Sequence, residues 1–116
     1  MNYDLVEKNI NGKNHVFLLV DNYPVSYAKY DSNNYHTVIL MDIETRLGFR
    51  NHGYATKLLD MIMSKHNTNY VYYNGDFTID GYNFIRKSLV GHNAQQPLCD
   101  SQSFIKDWDN YEILFP

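Results

Sequence analysis

Short apolar segments separated by turn-forming residues fill the first 44 positions of the chain, a pattern typical of consecutive β-strands. It predicts strands over residues 3–9, 15–20, 25–30 and 35–44. Asn, Asp, Gly and Pro cluster at the breaks, which are residues 11–12, 21–24 and 31–34. These residue types favour tight turns. Because the breaks are short, we expect the four strands to form an antiparallel meander.

The apolar spacing changes from strand-like to helical after the fourth predicted strand. Apolar residues at positions 55, 58, 59, 62 and 63 recur at intervals of three and four, which places them on one stripe of a helix. The opposite side carries Lys57, Asp60, Ser64 and Lys65. This segment is therefore predicted to be an amphipathic helix with one buried side.

A short strand over residues 70–73 and a second helix are predicted next. Thr78 or Asp80 can cap that helix, and Gly91 is a plausible residue to end it. Its inward-facing residues are predicted to be Tyr82, Ile85 and Leu89.

The last part of the chain is predicted to be a loop followed by a strand. The loop covers residues 92–103, and residues 110–115 alternate apolar and polar positions as a half-buried strand does. The predicted order is β-β-β-β-α-β-α-β, and the fold class is α+β.

Length and charge restrict the class of protein. The chain has 116 residues, of which 44% are hydrophobic. This is enough for a single domain, residues 1–116, with a small buried core. The net charge is −3 and Lys and Arg form no cluster, so we expect no direct binding to nucleic acid.

Targeting and redox signals favour a cytoplasmic protein. No apolar stretch approaches the roughly 20 residues that cross a membrane, and the first residues lack the pattern of a secretory signal. Cys99 is the single cysteine, so an internal disulfide is excluded. We therefore expect a protein of a reducing compartment that does not contact membranes.

Metal-binding and nucleophilic residues show no characteristic spacing. The histidines at positions 15, 36, 66 and 92 are scattered, and we interpret them as surface or packing residues. Cys99 has no His or acid beside it in sequence, so a plain thiol is a simpler interpretation than an acyl-carrying nucleophile. No metal is expected.

The junction between the fourth strand and the first helix carries the most informative pattern. A helix that begins near Gly53 exposes backbone N–H groups that no earlier turn satisfies, and its dipole favours an anion. Gly53 and the small Ala55 leave room for a phosphate, and Arg50 adds a positive charge. The pattern fits a pyrophosphate site, but a loop-ending glycine and a helix-packing alanine would look the same.

Residues Arg50-Asn51-His52-Gly53-Tyr54-Ala55 resemble the Arg/Gln-x-x-Gly-x-Gly/Ala motif of the GNAT family of N-acetyltransferases. The detailed likeness covers residues 38–63: residues 39–45 resemble the family's central strand, and Lys57-Leu58-Leu59 the start of its helix. It implies the GNAT fold, with a mixed central sheet of about six or seven strands and two main helices. It also implies acetyl-CoA as co-substrate.

By this resemblance, backbone N–H groups from Asn51 to Thr56 would bind the pyrophosphate of coenzyme A, and we call residues 50–56 the phosphate loop. Ile43 and Thr45 would pair with the pantetheine amides as a neighbouring strand would, and Asn74 would contact the pantetheine arm. The residues expected to bind the cofactor are Ile43, Thr45, Arg50, Asn51, His52, Gly53, Tyr54, Ala55, Thr56 and Asn74.

Two departures from the family pattern concern the acceptor and the acid. Residues 9–14 are too few for the helical pair that walls the acceptor site in the family, which implies an open site. An open site suits a large acceptor such as a protein, or completion by a second subunit. In the second helix, Phe84 is followed by Ile85, where the family carries the Tyr that acts as general acid.

Glu44 and Tyr82 are the candidate catalytic residues. Asp42 and Glu44 flank Ile43 on a strand, so their side chains share a face, and Glu44, nearer the strand end, is the candidate base. A solvated strand-end carboxylate is the alternative. Tyr82 lies three residues before Ile85 and could replace the missing acid, or it could be a core tyrosine.

The resemblance thus implies direct transfer of an acetyl group from acetyl-CoA to a primary amine of a small molecule or a protein. Two alternatives stay open. The chain could be a GNAT-fold protein that lost the chemistry and binds CoA or docks onto a partner, or a small acyl-CoA sensor whose ligand stabilises a dimer. Pairing of exposed edge strands is a route to a homodimer.

Overall fold

Three antiparallel strand pairings open the structure, a computed structural model that describes residues 1–32, 36–69, 71–87, 91–93, 98–99 and 103–111. The strands β1 (Tyr3–Ile10), β2 (Lys13–Val20), β3 (Tyr23–Asp31) and β4 (Ile39–Thr45) are neighbours in space in the same order as in sequence. Each pairs antiparallel with the next one. The predicted meander is confirmed.

Residues that tolerate a left-handed backbone form the first two turns. Asn11 and Gly12 have φ values of 53° and 83°, and Asp21 and Asn22 have φ values of 49° and 70°. A two-residue loop with two positive φ values matches the right-handed twist of paired strands. Each of these turns therefore connects its two strands, β1 to β2 and β2 to β3, through only two residues.

Three of the first four strands begin elsewhere than the pattern predicted, and the first of them is β2, which starts at Lys13 because its turn needs only Asn11 and Gly12. β3 starts at Tyr23, because its turn needs only two residues, and Pro24 lies where the pairing with β2 shifts register. Strands tolerate proline at such irregularities. β4 starts at Ile39, later than the predicted residue 35, which lies outside the described residues; His36 is in a turn.

The two predicted helices are present. Helix α1 (Tyr54–Lys65) buries the apolar stripe Leu58, Leu59, Ile62 and Met63. Strands β5 (Val71–Tyr73) and β6 (Asp76–Phe77) follow, and then helix α2 (Ile79–Lys87). The side-chain oxygen of Thr78 accepts a hydrogen bond from the Gly81 N–H at 3.0 Å, so Thr78 is the cap of α2.

Parallel strands complete the mixed sheet. β5 pairs parallel with β4, and β7 (Gly91–Asn93) pairs parallel with β5, which gives a six-stranded sheet of order β1-β2-β3-β4-β5-β7. β6 forms a separate two-stranded sheet with β8 (Leu98–Cys99). The fold is α+β, with a mixed sheet and two helices, as the sequence predicted.

The predicted loop over residues 92–103 is wrong, since parts of β7 and β8 lie within it. Gly91 belongs to β7 and does not end α2, whose last residue is Lys87. Strands of two or three residues are held by backbone hydrogen bonds and leave no hydrophobic alternation to detect. Leu89 and most of the predicted strand 110–115 lie outside the described residues, and Tyr111 is in a short helical turn.

The sheet buries a different cluster on each face. On one face, strand residues such as Val16, Ala28 and Ile43 pack against the stripe of α1. On the other, Phe17, Leu19 and Tyr27 pack against Ile105, Trp108 and Tyr111. We call residues 103–111 the covering segment. An ion pair of 2.8 Å between Arg46 and Asp109 fastens it to the residue after β4. No helix in the described part of the chain is long and apolar enough to cross a membrane.

Candidate functional site

The phosphate loop enters α1 through a glycine in the left-handed region. Gly53 has φ 78° and ψ 12°, a conformation that glycine adopts without steric cost. Among the described residues, no side chain caps α1 by a hydrogen bond and no acidic residue lies in its first turn. The Lys57 N–H donates to the Gly53 carbonyl at 2.9 Å. The N–H groups before Lys57 therefore have no helical carbonyl to bond, and they form a polar, electropositive end.

A cleft of about 250 Å³ opens at this end of α1, and we call it the α1 cleft. Most residues predicted to bind the cofactor line it, and they are Thr45, Arg50, Asn51, Gly53, Tyr54, Ala55 and Thr56. The other lining residues are Phe49 and, from α2, Asp80, Asn83, Phe84 and Lys87. The structure thus brings the loop, the end of β4 and one side of α2 around a single cleft.

Arg50 ties these three elements together. Its Nε donates to the Thr45 carbonyl at 3.1 Å and lies 3.6 Å from an Asp80 carboxylate oxygen. The Arg50 side chain is still 45% exposed. A guanidinium has five N–H donors, so these contacts orient it without using all of its donors.

Lys87 is a second cation at the α1 cleft, and sequence reasoning missed it. It lies in the last turn of α2. Asp80, Asn83 and Lys87 are spaced by three and four residues, so one side of the helix presents all three to the cleft. The spacing of the three residues is visible in the sequence. It indicates a ligand site only once the structure shows that this side of α2 lines the same cleft as the first turn of α1.

A second cleft, of about 350 Å³, adjoins the first, and we call it the carboxylate cleft. It is lined by Glu44, Arg50, Thr78, Ile79, Asp80, Asn83 and Ser103. Three of these residues, Arg50, Asp80 and Asn83, also line the α1 cleft. The two clefts therefore adjoin, with the first turn of α1 on one side and the carboxylate of Glu44 on the other.

Glu44 is buried rather than solvated, with 5% of its surface exposed. One carboxylate oxygen accepts a hydrogen bond from the Phe104 backbone N–H at 3.0 Å, and the other accepts one from the Ser103 hydroxyl. The alternative of a solvated strand-end carboxylate is wrong. The covering segment supplies both donors, 59 and 60 residues away in sequence, and no local pattern could reveal them.

Asp42 forms a carboxyl pair with Glu44 on the same face of β4. Only 6% of its surface is exposed, and among the described residues its Oδ1 has no hydrogen-bond partner. Burial, then a hydrogen bond with Glu44 and the Glu44 charge, raise the pKa of Asp42 to about 9. Asp42 therefore carries a proton at neutral pH, beside the carboxylate cleft.

Tyr27 and His15 extend this polar layer under the covering segment. The Tyr27 hydroxyl is 2.8 Å from Nδ1 of His15, and its ring stacks on Phe104 with centroids 5.3 Å apart. Burial, then the charges of Asp42 and Glu44, raise the pKa of Tyr27. Burial, then the Lys29 charge, lowers the pKa of His15. Both groups are therefore neutral at pH 7.

Two histidines predicted to be surface or packing residues are buried. His15 is 6% exposed, and His66, the C-cap of α1, is 8% exposed with its Nε2 2.9 Å from the Tyr30 hydroxyl. His36 is exposed. The side chains of His92 and Cys99 lie outside the described part of the structure. Among the described residues, no group of three or more His, Cys, Asp or Glu could hold a metal ion.

Ile43 has a carbonyl that faces α2. A Cβ placed on Gly81 would lie only 2.3 Å from this oxygen, so the two backbones are in contact. β5 pairs with β4 only at Ile39 and Leu40, and the Asn74 N–H donates to the Leu40 carbonyl at 3.0 Å. In the described structure, β5 therefore pairs with the first residues of β4, and the first turn of α2 lies against β4 further along, at Ile43.

Gly81→Ala should lower the free energy of unfolding by about 2 kcal/mol, because its Cβ would overlap the Ile43 carbonyl. In an open helix the same change stabilises by about 1 kcal/mol. Urea denaturation of the variant checks the sign, with Ser64→Ala on the exposed side of α1 as the control. A stabilised Gly81→Ala would contradict the close contact of α2 with β4.

Four residues named from the sequence line neither cleft as the described residues form them, and these are Ile43, His52, Asn74 and Tyr82. His52 is exposed, and its Nδ1 lies 2.7 Å from the Arg50 carbonyl. Tyr82 is half-buried beside Arg86, whose guanidinium carbon lies 5.8 Å from the ring centroid. Ile85 is buried in the α1-side core, 6% exposed.

Comparison with known proteins gives no match. No family model fits the sequence, and no curated protein and no solved structure is similar to it.

Proposed function

We propose that this chain is an acetyl-CoA-dependent N-acetyltransferase that transfers an acetyl group directly to a primary amine. One observation carries the proposal. All residues of the GNAT-like motif except His52 line a cleft at the N-terminus of α1, and this cleft adjoins a second one that is lined by the buried Glu44. An anion site next to a proton-accepting group is what the reaction needs.

The α1 cleft fits a pyrophosphate in charge and in shape. Backbone N–H groups of residues 54–56 precede the first intrahelical bond, and Gly53 has no side chain to keep a phosphate away. Arg50 and Lys87 supply positive charge from two walls of the cleft. The Asp80 carboxylate neutralises part of the Arg50 charge. Lys87 has no acidic partner among the residues lining this cleft.

Glu44 is the proposed proton acceptor for the acceptor amine. A protonated amine in the carboxylate cleft would give one proton to Glu44, and the freed lone pair would attack the thioester carbonyl carbon. The C–N bond then forms and the C–S bond breaks, and the second proton that leaves the nitrogen balances the one that the departing thiolate takes up. Asp42, which is protonated beside Glu44, is the candidate acid, and neither Asp42 nor Tyr82 lines a cleft formed by the described residues.

A GNAT-like protein that lost the chemistry is the second candidate, and three observations favour it. Ile85, at the position of the family's acid, is packed in the core and offers no proton. Both oxygens of Glu44 already accept hydrogen bonds from the covering segment. The Ile43 carbonyl, expected to pair with pantetheine, contacts Gly81 instead. Such a protein would bind CoA as a sensor or dock onto a partner.

Calorimetric titration with acetyl-CoA, with ADP as a control ligand, separates these candidates when it is combined with a turnover assay. The enzyme should bind acetyl-CoA and release free thiol when primary amines are added. Binding without thiol release for any amine, including protein lysines, would favour the sensor. The absence of acetyl-CoA binding would overturn the enzyme and the sensor together and leave a docking role.

Lys87→Ala should weaken acetyl-CoA binding about fivefold, because one phosphate contact at an exposed site contributes about 1 kcal/mol. The loss should shrink at high salt, since exposed charges are screened. Titration at low and at high ionic strength measures both effects. Arg86→Ala is the matched control, because Arg86 is the adjacent cation on α2 but packs on Tyr82 and does not line the α1 cleft. Equal affinities for both variants would contradict the placement of Lys87.

A further inference from the structure

Strand β1 forms one edge of the six-stranded sheet. It is eight residues long and pairs with β2 over its whole length, from Tyr3 opposite Val20 to Ile10 opposite Lys13. In the part of the chain that the structure describes, no strand pairs with its other side. A regular edge of this length, without proline or a bulge, is able to pair with another strand.

The register of the β1–β2 hairpin fixes which backbone groups of β1 point outward. Ile10 and Lys13 flank a two-residue turn, so they exchange hydrogen bonds, and every second residue of β1 from Ile10 does the same with β2. The Asp21 N–H donates to the Asn2 carbonyl at 2.9 Å, which confirms this alternation at the other end. The N–H and C=O groups of the odd-numbered residues therefore face away from β2, and these residues are Tyr3, Leu5, Glu7 and Asn9.

We propose that β1 pairs antiparallel with β1 of a second copy of this chain, in a two-fold symmetric dimer with Val6 on the axis. In this register Leu5 exchanges hydrogen bonds with Glu7 of the other copy, and Tyr3 does so with Asn9. All four outward-facing residues are used, and two six-stranded sheets join into one continuous sheet.

Charge complementarity selects this register among those that the backbone allows. With Val6 on the axis, Asp4 lies directly opposite Lys8 of the other copy, and symmetry repeats the pair. Opposite charges at such positions stabilise paired strands, whereas like charges destabilise them. A shift that puts Glu7 on the axis would place two glutamates face to face. A shift that puts Leu5 there would leave Asp4 opposite Val6.

The faces of β1 match across the axis as well. Asp4, Val6 and Lys8 lie on the face of the covering segment, where Val6 packs partly buried against that core. Leu5 lies on the α1 side and packs partly buried against the other core. Pairing of β1 with a second β1 therefore continues both apolar layers from one copy into the next.

Charge reversal tests the pairing. Sedimentation equilibrium of the full chain over micromolar concentrations should give twice the monomer mass of 13.7 kDa. Asp4→Lys should raise the dimer dissociation constant about tenfold, since it replaces two attractive cross-strand pairs by two repulsive ones. Asp4→Lys with Lys8→Asp should restore it. A monomer at every concentration, or a dimer indifferent to these changes, would overturn the proposal.

A cysteine on the axis tests the register. In a Cys99→Ser background, Val6→Cys should cross-link two copies on mild oxidation, because directly opposed residues have Cβ atoms about 5 Å apart. Lys8→Cys in the same background should not, since Lys8 faces Asp4 and not itself. Cross-linking of the Lys8 variant alone would overturn the register. If Val6→Cys does not fold, as judged by circular dichroism, the charge reversals still decide.

Discussion

Gly53→Asp is expected to weaken acetyl-CoA binding about 100-fold, a loss of about 2.7 kcal/mol. The new carboxylate would lie at the N-terminus of α1. It would accept hydrogen bonds from the backbone N–H groups that we propose bind the pyrophosphate. It would also repel the phosphates. The fold should survive, because Asp is among the residues that tolerate a positive φ, an acid at this end stabilises a helix, and no atom of the described residues beyond the two chain neighbours lies within 4 Å of an added Cβ.

Gly53→Asn is the matched control for this variant. Asn has nearly the same shape as Asp and tolerates the φ of 78°, but it carries no charge. Titration calorimetry should therefore show a much smaller loss for Asn than for Asp, with urea denaturation confirming that both fold. Normal binding by Gly53→Asp would show that the phosphate loop is not the site, even if acetyl-CoA binds elsewhere.

Asp42→Asn is expected to remove a pH dependence from the stability of the protein. The pKa of Asp42 is raised from its ordinary 3.8 to about 9, so the folded state keeps a proton that the unfolded state releases. Its contribution to the free energy of unfolding is therefore full at acid pH and declines as pH rises from about 4 to 9. The slope reaches up to about 1.4 kcal/mol per pH unit for one proton.

Urea denaturation at pH 5, 7 and 9 measures this effect. An asparagine mimics the protonated acid and does not titrate, so the stability of the variant relative to the wild type should rise steadily from pH 5 to pH 9. Asp60→Asn, on the exposed side of α1, should leave the wild-type slope unchanged. Parallel pH profiles for the wild type and Asp42→Asn would show that Asp42 ionises freely in the folded protein.

The sequence predicted the elements whose patterns are local. The apolar segments and turn residues of β1 to β4 and the stripe of α1 are set by neighbouring residues, and so is the junction at Gly53. Turn lengths were less predictable, because Asp21 and Asn22 both adopt a left-handed backbone, and this shortens the turn by two residues. β6, β7 and β8 were missed, because strands of two or three residues depend on partners distant in sequence.

The candidate site also contains a part that the local sequence predicts and a part that depends on tertiary contacts. The motif of the phosphate loop could be read from six consecutive residues. The environment of Glu44 could not, because its two hydrogen-bond donors come from Ser103 and Phe104. Lys87 joins the α1 cleft through the packing of α2, which no spacing in the loop predicts. The contact of Gly81 with the Ile43 carbonyl likewise depends on tertiary packing.

The bond from the Phe104 amide to Glu44 gives a direct readout of how often the carboxyl pair meets water. The covering segment around Phe104 is largely exposed, and its release would break this bond without separating any pair of strands. Native-state hydrogen exchange distinguishes such local opening from global unfolding. The exchange rate of this one amide, compared with that of amides in β3, therefore reports how often the covering segment opens over Glu44 while the sheet stays folded.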